Sequence, residues 1–152
     1  MKEVEVVERA SLDRGEYVAL LGFAGTGFIG NTALMYAARS RGYTQVATVK
    51  SDLIPPMILL INGQPNYPFR IYVNDEGNLL FVVTESIIQG ENVGPICREL
   101  MKWLISKGVI ELISFEGLPY GAKAEELRGF GFTLGERNLA QYGIQRTTEG
   151  AI

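Results

Sequence analysis

The segment best suited to chemistry is a glycine-rich hexapeptide, Gly25-Thr26-Gly27-Phe28-Ile29-Gly30. It matches G-x-G-x-x-G between an apolar run and a helical stretch. Glycines let a backbone come close to a ligand, and unpaired amides at a helix start attract anions, so the pattern suits a phosphate. Asp52 lies downstream, roughly where a ribose-binding acid falls. Two features oppose this reading. Gly22-Phe23-Ala24 lengthens the loop, and a strand precedes a unit that normally opens a dinucleotide domain. No Lys-Ser or Lys-Thr follows the glycines, so the segment is not a P-loop. The plainer reading, favoured here, is that glycine permits tight strand-to-helix packing and a left-handed turn.

Glu85, Glu91 and Glu116 follow predicted strands, as Asp52 does. Ligands of open α/β sheets bind beyond the carboxyl ends of the strands. Two such acids could meet there as an acid/base pair or a divalent-metal site. Nothing in their spacing brings them together, and helix capping and loop solvation account for them more simply. The ligand-contact candidates are therefore Gly25, Thr26, Gly27, Gly30, Asp52, Glu85 and Glu116. There is no histidine, so no Ser-His or Cys-His pair exists and Ser86 and Ser114 lack an activating base. Cys97 falls on the apolar stripe of a helix and reads as a small core residue. No catalytic residue, metal ligand or cofactor is assigned, and an enzyme is the less favoured class.

The elements that must position these residues follow from periodicity. Val4, Val6 and Val7 mark a first strand, and Asp13-Arg14-Gly15 a turn. Residues 17–23 are a continuous apolar run, as expected of an interior strand. Residues 28–41 read as a helix stopped at Gly42, apolar or small around most of its circumference. Such a helix buries more than one side, in the core or against a partner. Strands are expected at residues 45–49 and 57–61, and a hairpin at 69–73 and 79–83 around Asn74-Asp75-Glu76-Gly77-Asn78. Residues 92–107 carry an amphipathic stripe of Val93, Ile96, Cys97, Leu100, Met101, Leu104 and Ile105, closed by Gly108. A strand at 109–115 and a loop at 116–121 follow, then a strand at 130–134 and a short helix at 136–142. Trp103 sits beside the stripe, as core, flank or interface. Tyr67 and Tyr72 flank Pro68-Phe69-Arg70 as contact or strand-packing residues. This order of elements is that of an α/β domain with helices on the sheet faces.

Composition bounds the rest. The chain has 152 residues, 47% hydrophobic and 20% charged, with a net charge of -3. This is a globular composition, and it argues against a nucleic-acid binder that neutralises phosphates with a basic surface. A single cysteine excludes an intrachain disulfide. The charged start is not a signal peptide, no run approaches a membrane span, and a cytoplasmic location is the default.

The ordered set of motifs resembles the proteasome assembly chaperone 2 family, in its archaeal and bacterial branch. The residues that carry the resemblance are Leu20-Leu21-Gly22-Phe23-Ala24-Gly25-Thr26-Gly27-Phe28-Ile29-Gly30-Asn31 before an Ala-rich helix, then Ser51-Asp52-Leu53-Ile54-Pro55-Pro56. Gly63, Pro68 and Arg70-Ile71-Tyr72 follow, then Leu80-Phe81-Val82-Val83-Thr84-Glu85 before a long helix, and Ile113-Ser114-Phe115-Glu116-Gly117. The resemblance implies a three-layer α/β/α sandwich with a mixed, mainly parallel sheet, similar to purine nucleoside phosphorylase. It implies a homo-oligomeric protein-binding scaffold or chaperone, with itself and proteasome subunits as partners and neither nucleic acid nor membrane. Met35, Tyr36 and Trp103 are the interface candidates. The alternative is a nucleotide- or phosphate-binding protein, or a ligase-like enzyme, using the glycine loop. Family domains run longer, so residues 1–152 are expected to form a single α/β domain without its C-terminal part. The last residues, Gly150-Ala151-Ile152, do not form the hydrophobic-Tyr-any tail by which some relatives engage the proteasome.

Overall fold

Alternating valine and glutamate build the first strand, β1 (Val4–Glu8), and the apolar run builds β2 (Tyr17–Gly22). In the computed structural model, which describes residues 3–119 and 129–147, these belong to the first of two compact units, Met1–Leu118 and Pro119–Ile152. Helix α1 (Ile29–Ser40) follows the glycine loop, and β3 (Thr44–Ser51) returns. A short antiparallel arm, β4 (Leu59–Ile61) and β5 (Gln64–Asn66), precedes β6 (Phe69–Val73) and β7 (Leu79–Thr84). Helix α2 (Gly90–Lys107) and β8 (Val109–Ser114) complete the unit.

The sheet has six strands in the order β1-β3-β6-β7-β2-β8. It is mixed, as expected, but "mainly parallel" needs correcting. Only β7–β2 and β2–β8 are parallel, whereas β1–β3, β3–β6 and β6–β7 are antiparallel. The hairpin is the reason. It places β6, reversed, beside β7, and β3, which returns from α1 in the sense of β2, therefore meets β6 antiparallel. The turn is locked by Asn74, whose buried Oδ1 accepts from the amides of Asn78 and Leu79 at 3.0 and 2.8 Å.

Alternate residues of each strand feed two cores, one per face. Ile96, Leu100 and Leu104 of α2 pack with Tyr17, Ala19, Phe69, Ile71, Leu80 and Val82. Leu34, Met35 and Ala38 of α1 pack with Tyr72, Phe81 and Val83. Helices on both faces make the three-layer α/β/α sandwich. Burial of each such aliphatic or aromatic side chain contributes roughly 1.5–3 kcal/mol. Within this chain α1 buries one side, which leaves the other for the partner that the expectation allowed. Gly30, Asn31, Leu34, Met35 and Ala38 face inward, while Ile29, Ala33 and Tyr36 face outward. Small alanines read as apolar in a sequence yet tolerate either environment.

Residues 57–58 are not strand; β4 begins at Leu59, and its partner β5, with a proline in it, escaped the periodicity. Helix α2 ends as predicted, with Gly108 at φ +88° donating its amide to Ile105 at 3.0 Å. In the second unit, β9 (Phe130–Gly131) pairs in parallel with β10 (Gln145–Arg146) around a 3-10 turn at Leu139–Tyr142. The strand expected at 130–134 is thus shorter, and the short helix is a single 3-10 turn. Residues 120–128, in and after the predicted loop, and the tail from 148 lie outside the described residues.

Candidate functional site

The glycine loop sits where β2 ends and α1 begins, at the carboxyl end of the parallel strands. Gly25 to Phe28 form a 3-10 turn, with the Phe28 amide on the Gly25 carbonyl at 3.0 Å. Gly27 has φ +68°, and Phe28 follows at φ +53°, a left-handed conformation uncommon for a side chain this large. The glycines are filled from within the chain. A Cβ on Gly22 would lie 2.6 Å from the Gly30 carbonyl oxygen. One on Gly30 would overlap the Phe115 carbonyl, and one on Gly117 the Thr26 carbonyl. Three backbone segments therefore meet without side chains between them, which is the packing use of glycine.

Glu116 reinforces that reading. Its carboxylate lies 3.2 Å from where a Gly25 Cβ would stand, and its Oε1 accepts from Ser114 Oγ at 3.0 Å. A carboxylate on the loop repels the phosphate that the motif suggested. The structure thus brings Gly25 and Glu116 together, with Thr26, Gly27 and Gly30 beside them. Asp52 is not with them. It follows β3, and β6 and β7 intervene between β3 and β2. Three strand spacings put it about 14 Å away across the sheet, whereas a ribose-binding acid needs the adjacent strand. Asp52 instead lines a recess with Lys50, Pro55, Pro56, Met57 and Tyr67.

Glu85 belongs to a different arrangement. It follows β7 and pairs with the guanidinium of Arg70 from β6, a side chain with no solvent exposure. Arg70 also donates from Nη1 to the Tyr67 carbonyl at 2.7 Å, and its Nη2 lies 3.5 Å from Met35 Sδ. Asn31, in the first turn of α1, is buried beside them, and its Nδ2 donates to the Thr84 carbonyl at 3.3 Å. Sequence reasoning missed Arg70 and Asn31 as site residues. The available signal was an arginine inside the otherwise apolar strand Phe69-Arg70-Ile71-Tyr72-Val73, which must find a buried acid.

The interface candidates separate. Met35 is 7% exposed and faces the sheet, so it is a core residue rather than a contact surface. Tyr36, 75% exposed, points away. Trp103 ties α2 to β1: its Nε1 donates to Glu8 Oε1 at 3.1 Å, and Lys107, paired with Glu8 at 2.7 Å, lies 5.6 Å from the centre of its ring. The Lys107 bond holds the Glu8 carboxyl below its usual range, against a smaller opposing effect of burial and with help from Trp103. Tyr72 is buried, and burial pushes its phenol up. Tyr67 is half-buried under Lys50 Nζ at 4.8 Å. Burial likewise raises the Cys97 thiol, which makes it a poorer nucleophile. Among the described residues no group of three or more His, Cys, Asp or Glu could hold a metal ion, and no helix is long and apolar enough to cross a membrane.

A three-layer sandwich whose glycine loop is closed by its own backbone defines an α/β domain in which that loop serves packing. The chain belongs to the PAC2 family, whose sequence model matches residues 19–148. No curated protein matches it. Among solved structures it is similar to a protein of unknown function from Thermoplasma acidophilum (30% identity, TM-score 0.82), covering 91% of this chain and 58% of that one. It is also similar to Pyrococcus furiosus PbaA, an archaeal homolog of proteasome-assembly chaperone (23% identity, TM-score 0.87, 98% of this chain and 62% of that one). A third is P. furiosus PbaB, an archaeal proteasome activator (18% identity, TM-score 0.79, 100% and 71%). At these identities PbaA and PbaB show a shared fold. The chain spans 58% and 62% of the first two structures.

Proposed function

We propose that this chain is a non-enzymatic, chaperone-like protein-binding module that self-associates and engages proteasome subunits. The observation that carries the reading is the outer edge of β8. No strand among the described residues pairs with that edge. Ile110 and Leu112 are 68% and 40% exposed there, and Phe115 and Leu118 extend the exposed apolar run. An unpaired apolar edge is a template for another polypeptide. Family membership and the likeness in fold to PbaA, an archaeal homolog of proteasome-assembly chaperone, and PbaB, an archaeal proteasome activator, support a protein partner. The Glu116 carboxylate on the glycine loop speaks against a nucleotide there.

Light scattering at micromolar concentration, with titration against purified proteasome subunits, tests the reading. A discrete oligomer, reduced to monomer by Ile110→Lys with Leu112→Lys, is expected, together with saturable subunit binding. A strictly monomeric chain that binds no subunit would overturn it. A nucleotide held on the loop at 100 Kd would add about 2.7 kcal/mol of stability; no thermal shift with nucleotides is expected.

A further inference from the structure

From Leu53 to Phe69 the chain carries no charged residue, although 20% of the whole sequence is charged. This stretch includes the β4–β5 arm, and it is not all core: Ile58 and Leu60 are 62% and 74% exposed. The arm packs mainly on itself, and a lone two-stranded hairpin is at best marginally stable in water. Its two edges differ. The loop is Asn62-Gly63, at φ +52° and +74°, so Ile61 and Gln64 form the hydrogen-bonded pair that flanks a two-residue turn. The next pair, Leu60 and Pro65, is then of the non-bonded kind, with its backbone groups turned outward. Pro65 has no N–H, which closes the β5 edge. Leu60 offers both N–H and C=O along β4, and no strand among the described residues takes them. The open edge of β8 is built alike. The Phe115 amide donates to the Leu21 carbonyl at 3.0 Å, so by alternation Leu112 turns its N–H and C=O away from β2. Exposed Ile110 and Leu112 stand two residues apart, as Ile58 and Leu60 do.

We propose that the β4 arm of one copy adds as a strand to the β8 edge of a second copy, with Ile58 and Leu60 against Ile110 and Leu112. The inference deepens the self-association reading and rests on it. Strand addition supplies main-chain hydrogen bonds to both open edges, and the paired apolar side chains leave water together. Charge selects this pairing. Glu111 lies within β8 and Glu116 just after it, so two β8 edges joined to each other would bring acid toward acid. The uncharged arm brings none. Arm paired with arm would leave the β8 edge of each copy open, whereas arm on edge fills both. The contact is heterologous: each copy gives an arm and receives one. It therefore repeats from copy to copy, and a discrete oligomer requires that it close into a ring.

The test mixes two variants of the full chain. One carries Ile58→Lys and Leu60→Lys in the arm, the other Ile110→Lys and Leu112→Lys on the β8 edge. Each should be monomeric alone by light scattering, because each lacks one half of the contact. Mixed in equal amounts they should form a pair of chains and nothing larger, since one intact arm meets one intact edge. An arm variant that still associates, an edge variant that still associates, or a mixture that stays monomeric would overturn the proposal. Hydrogen exchange on the unmodified chain gives a readout that does not depend on how the variants fold. The Leu60 and Leu112 amides should exchange at least tenfold more slowly in the oligomer than after dilution to monomer. Equal rates in both states would overturn the pairing. Association that persists despite these failures would leave the self-association reading standing and remove only the arm; an unmodified chain that is monomeric throughout would remove both.

Discussion

The two edges of the sheet are built on opposite plans. At β1 the exposed positions are Glu5 and Glu8, Val4 and Val6 pack against the core, and Glu8 is tied to Lys107 and Trp103 of α2. At β8 the exposed positions are Ile110, Leu112 and Ser114, while the one charged residue, Glu111, is half-buried and has a partner. Edge strands invite further pairing, and charge is the usual means of preventing it. The β1 edge is therefore finished against water, and the β8 edge is left suited to polypeptide. The glycine seam lies at the β8 side, where Gly30 and Gly117 let α1, the loop and the segment after β8 interlock.

The contrast can be broken most forcefully at that seam. Gly30→Ala places a methyl against the Phe115 carbonyl and should lower stability by about 3 kcal/mol in urea unfolding. Glu5→Ala, on the finished edge, should stay within about 0.5 kcal/mol of wild type. A similar cost for both would mean that the seam is slack. Next in size is the effect on assembly. Glu5→Ile gives β1 the apolar character of β8 and should raise the average mass seen by light scattering. An unchanged mass would show that charge is not what closes this edge.

Tyr36→Glu sharpens the comparison by asking whether the outer face of α1 joins the β8 edge in association. It should lower the oligomer mass without loss of helicity by circular dichroism. Met35→Glu, by contrast, buries a charge against the sheet and should unfold the chain. The smallest effect concerns Glu8. Its carboxyl is held low, so its contribution is present above the usual value of 4.5 and fades as pH falls through the lowered native value. Glu8→Gln should cost under about 1 kcal/mol at pH 7, since the group is largely exposed, and progressively less as the pH falls through the lowered native value. A gap that persists in acid would assign the effect to packing of Trp103 instead.

Much of this architecture can be read along the chain. The buried line of α2, Ile96, Leu100 and Leu104, follows from spacing, although Val93 and Ile105 of the predicted stripe are exposed, and the Asn74–Asn78 reversal follows from residue type. Both are local: a helix face and a turn are settled within a few residues. The candidate site was legible only in part. Gly25 and Glu116 do meet, but Asp52 was placed by analogy with a neighbouring strand, and strand order is not local information. The pairing of Arg70 with Glu85 needs β6 and β7 in register, with Val83 opposite Arg70, before the acid that follows β7 can come within reach. The sideways orientation of α1 was equally hidden, because Ala33 and Ala38 look alike in a sequence and only one is buried.

By itself, the sequence determined the types of element, the reversals between them, the lack of a histidine-based catalytic pair and the family. Each of these depends on residue identity or on spacings within a turn or two. Tertiary structure decided which edge is finished, which glycines touch backbone and which acid the buried Arg70 meets. Those properties arise from segments far apart in the chain, and only the packed sheet sets the distances between them.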